Sequence, residues 1–256
     1  MENLQKTRRM MMDPRPTRPS FEFGSNLTPL GKRLLILYGG IYILELLLSN
    51  WFATPFVSLL QLYPLTSPDF HLRQILAHPF LHDPEAPIGF LINCLMLYFF
   101  AAPIEYALGA KRFLILFYFS TLGAALCGLA FSSVSDFSAP FMGMMPSLLA
   151  LVVVFGLLNP EATILLMFIL PVKAKLLSYA TVLITLLTFL AKANPYGAYH
   201  LGGILFGFIY FKGRGMLLDP RSLQLTYLNW KLKRKRAKFK VIQGDKKKND
   251  DKPTYH

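Results

Sequence analysis

The chain has 256 residues, of which 54% are hydrophobic and 16% are charged, and its formal net charge is +13. Soluble domains carry charge on about a quarter of their residues, so this composition excludes an ordinary soluble domain. The charges lie mainly near the two ends of the chain. The apolar stretch between residues 34 and 211 therefore predicts a polytopic membrane protein.

Six apolar segments have the length of membrane-spanning helices and are bounded by polar, Pro or Gly residues. They are Leu34–Phe52, Pro87–Glu105, Phe113–Phe131, Met145–Leu158, Leu176–Leu190 and Gly197–Phe211. Several are shorter than the roughly 20 residues that a lone spanning helix needs, which favours helices packed in a bundle. The segment TILLMFILPVKAK, residues 163–175, either extends the fourth span or lies re-entrant or interfacial.

The distribution of Lys and Arg predicts the orientation. In a six-span arrangement, 25 of the 27 basic residues fall on one side, and only Arg73 and Lys192 fall on the other. Because basic residues accumulate on the cytoplasmic side, we expect both termini in the cytoplasm. The long connection between residues 53 and 86 then lies on the outer side, and its apolar residues favour short interfacial helices.

Two histidines of this outer connection, His78 and His82, have the i, i+4 spacing of possible metal ligands. No acidic residue lies between them as in the H-E-x-x-H motif, and Pro79 follows the first histidine. We therefore expect no metal at this pair. The sequence likewise gives no reason to expect a cofactor.

Polar positions within or at the start of three spans suggest a functional site, because polar side chains inside a membrane are costly. Asn93 lies in the second span, His200 lies in the sixth, and the Met145 turn opens the fourth. These three spans run in the same direction, so we expect the three positions at similar depth in one outer cavity. Gly203 and Gly207 follow His200 with the spacing that lets two helices approach closely.

Three motifs resemble the rhomboid family of intramembrane serine proteases. They are HPFLH at residues 78–82, FLINCLMLYFFAAPIEYALGAKRF at residues 90–113, and AYHLGGILFG at residues 198–207. The resemblance covers about Leu34–Lys212 and implies an all-α membrane protein, a six-transmembrane-helix rhomboid-like bundle. It places His200 at the position of the catalytic base and Asn93 at a position of the oxyanion hole.

The resemblance also identifies what this chain lacks. The family's nucleophile is the Ser of a Gly-x-Ser-Gly turn, and the spacing to Pro160 puts Gly143 on the first Gly, Met145 on the Ser and Pro146 on the last Gly. The family usually also has a His one helical turn before Asn93, where this chain has Gly89. A thioether carries no proton to remove, and proline has no N–H to stabilise an oxyanion.

Ser147 is the alternative nucleophile. Two positions along a helix correspond to about 200° of rotation, so Ser147 should point away from Met145. We expect its hydroxyl instead to bond backbone near Pro146.

Three functions stay open on the sequence. The first is a rhomboid-fold pseudoprotease that binds transmembrane helices of client proteins, a role that the resemblance implies. The second is an active intramembrane serine endopeptidase that uses an atypical nucleophile such as Ser147. The third is a structural protein whose clients are lipids.

We expect three regions: a basic cytoplasmic segment at residues 1–33, the membrane domain at 34–212, and a basic cytoplasmic tail at 213–256 whose end is disordered. The tail places Leu, Trp and Phe among its basic residues, which favours binding to anionic lipid over nucleic acid. We expect an integral multi-pass protein of a bacterial inner membrane.

Overall fold

The computed structural model describes residues 27–213 except for 53, 136, 167–169 and 193–194. The expectations for the N-terminal basic segment up to residue 26 and for the tail from residue 214 lie outside the described residues. The described part is mostly helical, with one β-hairpin.

Six helices of the described residues overlap the six predicted spans, mostly with different bounds. These helices are α1 (Pro29–Asn50), α4 (Pro87–Leu108), α5 (Ala110–Ser132), α6 (Met145–Leu158), α7 (Ala174–Lys192) and α8 (Pro195–Lys212). Three of them, α4, α5 and α7, are long and apolar enough to cross a membrane by length and composition alone. Helix α6 is shorter, at 14 residues.

Two short paired strands follow α6, and they do not extend the fourth span. Strands β1 (Thr163–Leu166) and β2 (Leu170–Lys173) pair antiparallel, with Thr163 opposite Lys173. At the base of the hairpin, Glu161 accepts hydrogen bonds from the side chains of Lys173 and Lys175. Because both lysines favour its charged form, the pKa of the exposed Glu161 carboxyl is lowered to about 2.

Helix α1 begins five residues before the predicted start at Leu34. The Thr28 side chain accepts a hydrogen bond from the Gly31 N–H and so caps the helix, and Pro29 occupies the first turn. The Thr28 hydroxyl also donates to the carboxylate of Glu105, near the end of α4. The beginning of α1 is thereby joined to the end of α4.

Helix α6 lies at the centre of the bundle. Most of its residues from Pro146 to Gly156 are buried, as expected for a helix that is hydrophobic all round. Helix α8 packs closely on α5 and α6 through glycines: a Cβ atom added at Gly207 would lie 2.6 Å from the Cβ of Ala150. Helix α7 packs on α6, where the Ser178 hydroxyl donates to the Val152 carbonyl at 3.0 Å.

The connection between α1 and α4, residues 54–86, is called loop L1 here. It contains the short helices α2 (Phe56–Leu60) and α3 (Arg73–Ala77), followed by a 3-10 turn at His78–Phe80. The prediction of short helices in this loop is confirmed. Leu62 and Phe141 exchange two backbone hydrogen bonds, of 2.9 and 2.7 Å, which join loop L1 to the segment that leads into α6.

Candidate functional site

The backbone of the turn before α6 is held in a fixed conformation. Gly143 has a φ of +91°, which favours glycine because other residues are strained there. Its N–H donates to the His78 carbonyl at 2.9 Å, so loop L1 holds the turn. Helix α6 then begins at Met145 with Pro146 in its first turn, where an N–H has no partner within the helix in any case.

Helix α8 brings His200 to this turn. A Cβ atom added at Gly203 would lie 2.5 Å from the Cβ of Pro146, so the two backbones are in close contact. His200 lies three residues before Gly203, on the same face of α8 and one turn closer to its beginning. The half-buried His200 thus lies one helical turn before the contact of α8 with the start of α6.

Tyr199 strengthens the same junction, and the sequence reading missed it. Its side chain is almost fully buried, and its hydroxyl donates to the Gly143 carbonyl at 3.4 Å. Its ring centre lies 5.7 Å from that of His200 and 5.9 Å from that of His78. The available signal was a tyrosine directly preceding the candidate base, which by itself does not indicate a partner.

Asn93 lies on the buried face of α4. The buried residues Phe90, Leu97 and Phe100 recur at helical spacing on one face, and Asn93 falls between the first two of them. Phe100 contacts Phe155 of α6, with ring centres 5.5 Å apart. Asn93 is half-buried. That Asn93, Met145 and His200 open into one common outer cavity stays a prediction.

Ser147 faces α5. Its side chain is fully buried, its hydroxyl donates to the Phe117 carbonyl at 2.5 Å, and it also bonds the Thr121 hydroxyl. The expected backbone acceptor near Pro146 was wrong, because the acceptor belongs to a neighbouring helix. Ser147 therefore points to α5, whereas His200 lies on α8.

The two histidines of loop L1 are buried structural groups in this geometry. His78 Nδ1 lies 3.0 Å from the carbonyls of Gln74 and Ile75, and since a carbonyl can only accept, Nδ1 carries the proton. Burial lowers the pKa of both His78 and His82 to about 4. Within the described residues, no group of three or more His, Cys, Asp or Glu side chains could hold a metal ion.

A separate apolar groove of about 830 Å³ lies among α5, α6, α7 and α8. Its lining includes Cys127, Phe131, Val153, Tyr179, Gly202 and Phe208. Asn93, Met145 and His200 do not line it. The sequence gave no indication of this groove, because its lining comes from four helices and has no polar pattern.

The sequence reading also missed Glu45, an acidic residue on the first span. Its side chain is fully buried, and both carboxylate oxygens lie 3.2 Å from the His82 backbone nitrogen, whose N–H they accept. A lone acid within an apolar span was the signal that could have found it.

The order of motifs, the glycine contacts of α8 and the turn at Gly143 define a rhomboid-type membrane bundle. A model of the rhomboid domain matches residues 69–214, more than half of the chain. The chain belongs to the rhomboid family and is a membrane protein of that fold. None of the curated proteins matches it.

Proposed function

We propose that this rhomboid-family protein is a pseudoprotease that binds transmembrane segments of client proteins. One observation of the sequence supports the proposal: Met145 stands at the start of α6, where the family has its serine. A thioether has no proton for His200 to remove, so the dyad of nucleophile and base cannot form. The base and Asn93 positions are kept, while the group that attacks the carbonyl is absent.

The oxyanion-binding part of the site supports the same proposal. Pro146 offers no N–H, and Gly89, one turn before Asn93 on α4, offers no side chain. Each oxyanion donor contributes about 3–4 kcal/mol to the transition state. Replacing the nucleophile and two donors leaves little basis for acyl transfer.

The geometry disfavours Ser147 as a replacement nucleophile. Its hydroxyl proton is directed to the Phe117 carbonyl, and the hydroxyl is also bonded to Thr121. To reach His200, the side chain would have to break both contacts inside a closely packed helix interface. We therefore favour a binding role over catalysis by Ser147.

A fluorophosphonate probe on the purified full-length protein tests the loss of the nucleophile. We expect no labelling of the wild type or of Ser147→Ala, and no cleavage of a model transmembrane substrate. Labelling of the wild type that disappears in Ser147→Ala would establish the active-protease alternative instead.

Photo-cross-linking tests the binding role. A benzophenone amino acid placed at Met145 should form adducts with single-span peptides in nanodiscs. The same group at Ile36 of α1, whose side chain is 65% exposed, is the control for random contact in the bilayer. Equal peptide adducts at the two positions would contradict client binding, and adducts with lipid alone at position 145 would favour the lipid-binding alternative.

For the tail, we propose binding to anionic lipid on the cytoplasmic side, supported by its basic sequence with interspersed Leu and Trp residues. A synthetic peptide of residues 223–241 should bind vesicles that contain phosphatidylglycerol and should be released by salt. Equal binding to neutral vesicles would contradict this proposal.

A further inference from the structure

The apolar groove among α5, α6, α7 and α8 takes no part in the candidate site, and its lining limits what it can bind. Leu205 and Phe208 of α8 line the groove and stay exposed, so it opens on the side of the bundle that faces lipid. Its described lining carries hydroxyl groups at Ser178 and Tyr179 alone, and the Ser178 hydroxyl is bonded to the Val152 carbonyl. A polar ligand would therefore lose its hydrogen bonds in the groove, whereas an apolar chain would not.

The groove is closed near the start of α8. There Phe131 of α5 and Phe189 of α7 meet edge to face with ring centres 5.0 Å apart, and both rings line the groove. This pair is called the aromatic roof here. The start of α8 packs against it, because a Cβ atom added at Gly197 would lie 2.7 Å from the Cα of Phe189. An occupant must enter from the side or from the opposite end.

The opposite end of the groove is bordered by two basic residues. On α7, Lys175 lies one turn before the lining residue Tyr179 and on the same side of the helix. On α8, the exposed Lys212 lies one turn after the lining residue Phe208. Lys175 and Lys212, called the basic border here, match the negative charge of a lipid phosphate.

Glu161 neutralises the basic border only in part. Its carboxylate accepts hydrogen bonds from Lys173 and Lys175 at 2.7 and 2.6 Å. Two lysines against one carboxylate leave one positive charge, and Lys212 adds another on the neighbouring helix. The three side chains of the Glu161 network are exposed, so the lysines can turn toward a phosphate without uncovering the core.

The length of the groove favours an acyl chain over a transmembrane helix. Along α8, the helix rise from Lys212 to the lining residue Ala198 is about 21 Å. A helix that crosses the bilayer needs about 30 Å of apolar contact, and the aromatic roof ends the groove before that length. One leaflet is about 15 Å deep, half of the same thickness. A single extended acyl chain therefore fits between the basic border and the roof.

We propose that the groove binds one acyl chain of an anionic phospholipid whose phosphate lies at Lys175 and Lys212. The lipid belongs to the leaflet at the Lys212 end of the bundle, which the distribution of Lys and Arg predicts to be cytoplasmic. The site is separate from the basic tail. It does not rest on the proposed client binding, because Met145 does not line the groove. A bound chain packs beside Leu201, directly after His200, and so supports the helix that carries the candidate base.

Native mass spectrometry of the full-length protein tests the basic border. Protein released from nanodiscs that contain equal amounts of phosphatidylglycerol and phosphatidylcholine should retain phosphatidylglycerol selectively. The double variant Lys175→Gln and Lys212→Gln should lower this retention at least fivefold. Both changes lie at exposed ends of helices, so the packing of the bundle is kept.

The double variant Lys32→Gln and Lys111→Gln is the matched control. It removes the same charge from exposed positions at the starts of α1 and α5 and should change the retention little. The basic tail is identical in all variants, so its own lipid binding does not differ between them. Equal retention of the two lipids by the wild type, or an equal loss in the two double variants, would overturn the proposal.

The substitution Leu205→Trp tests the groove itself, because the larger ring would take the place of the chain. Leu205 and Leu183 are 51% and 54% exposed, but Leu205 lines the groove and Leu183 does not, so Leu183→Trp is the control. Phosphatidylglycerol with a diazirine at the end of one chain should cross-link to the peptides of Phe131 and Phe189. These adducts should fall at least fivefold in Leu205→Trp and stay unchanged in Leu183→Trp. Adducts spread evenly over the exposed helix faces would show annular lipid only and overturn the site.

A benzophenone amino acid at position 205 distinguishes the other occupants. We expect it to form adducts with phospholipid. Adducts with a single-span peptide, or with a second copy of the protein, that exceed those at position 183 would assign the groove to a helix and overturn the proposal. Client binding is tested separately at position 145, so failure of the lipid site and failure of client binding give different results.

Discussion

Gly203 of α8 and Pro146 of α6 are in direct backbone contact: a Cβ atom added at Gly203 would lie 2.5 Å from the proline Cβ and 2.9 Å from its carbonyl oxygen. The contact holds the start of α6 against the helix that carries His200. The site therefore depends on the absence of a single methyl group at position 203.

Gly203→Ala should destabilise the bundle by about 1–3 kcal/mol, because the added methyl meets backbone that cannot yield as a flexible side chain does. Unfolding in mixed micelles measures the change. Gly40→Ala on α1 is the control, since a Cβ atom there meets nothing within 4 Å. Equal free energies of unfolding of the two variants would show that α6 and α8 are not in close contact at Gly203.

Ser147→Ala should lower the free energy of unfolding by about 1 kcal/mol, because one buried hydrogen bond to the Phe117 carbonyl is lost. Thr188→Ala, which removes an exposed hydroxyl bonded within α7, should cost less. Peptide adduct formation by the benzophenone at position 145 should stay the same in both variants. A large loss of adducts in Ser147→Ala alone would assign this serine a role beyond packing.

Restoring Met145→Ser together with Pro146→Gly should give weak proteolysis at most. The double change returns a nucleophile and a backbone N–H, but the donor that Gly89 cannot supply is still missing, and such a donor is worth roughly 10²–10³ in rate. Fluorophosphonate labelling and cleavage of a model substrate measure the gain.

Adding Gly89→His to that double variant should raise the rate further. A Cβ atom at Gly89 meets only the Ala86 Cβ at 3.8 Å, so the backbone has room for a side chain. If the double variant alone cleaves as fast as the triple variant, the α4 side chain is not limiting. A folded but inert triple variant would mean that the cavity itself has diverged.

Stability should fall as the pH is lowered from about 6.5 to about 4. Burial lowers the pKa of His78 and His82 from 6.5 to about 4, so the unfolded chain binds more protons than the folded one within that window. Melting temperatures across the window measure the slope.

His82→Phe keeps a ring in the aromatic junction and should reduce this pH slope. His71→Phe, an exposed change in the same loop, controls for the loss of a histidine. An unchanged slope in His82→Phe would show that His82 contributes nothing to the pH dependence.

Much of the fold could be predicted because runs of hydrophobic residues, and the Pro or Gly residues that end them, are local signals in the sequence. Helix α6 has the predicted bounds, Met145 to Leu158. The start of α1 was missed although Thr28 followed by Pro29 is a local signal for the start of a helix. The bond from Thr28 to Glu105, 77 residues away, is what no local pattern gives. The strand pair β1 and β2 was ambiguous in the sequence because short apolar runs suit both strands and buried helices.

For the candidate site, the spacing of Met145 and Ser147 predicts that the two side chains point to different sides of α6, since two helical positions are about 200° apart. The structure shows that Ser147 faces α5. Its partner Phe117 could not be inferred, because the sequence of neither helix alone determines how α5 packs against α6. The contact between Glu45 and His82 was missed for the same reason, because the partner of Glu45 is a backbone N–H, which no side-chain pattern reveals.

The bond between Thr28 and Glu105 has a mechanical consequence for α1. This bond fastens the start of the helix to the end of α4, while Glu45, nearer the other end, accepts the backbone N–H of His82 in loop L1. These two contacts lie some 25 Å apart by helix rise alone. Between them Tyr38 packs on Phe117 of α5 and Tyr42 stacks on Phe90 of α4. Helix α1 is therefore fixed near both ends and packed along its middle, so the loss of one end contact leaves the helix in place.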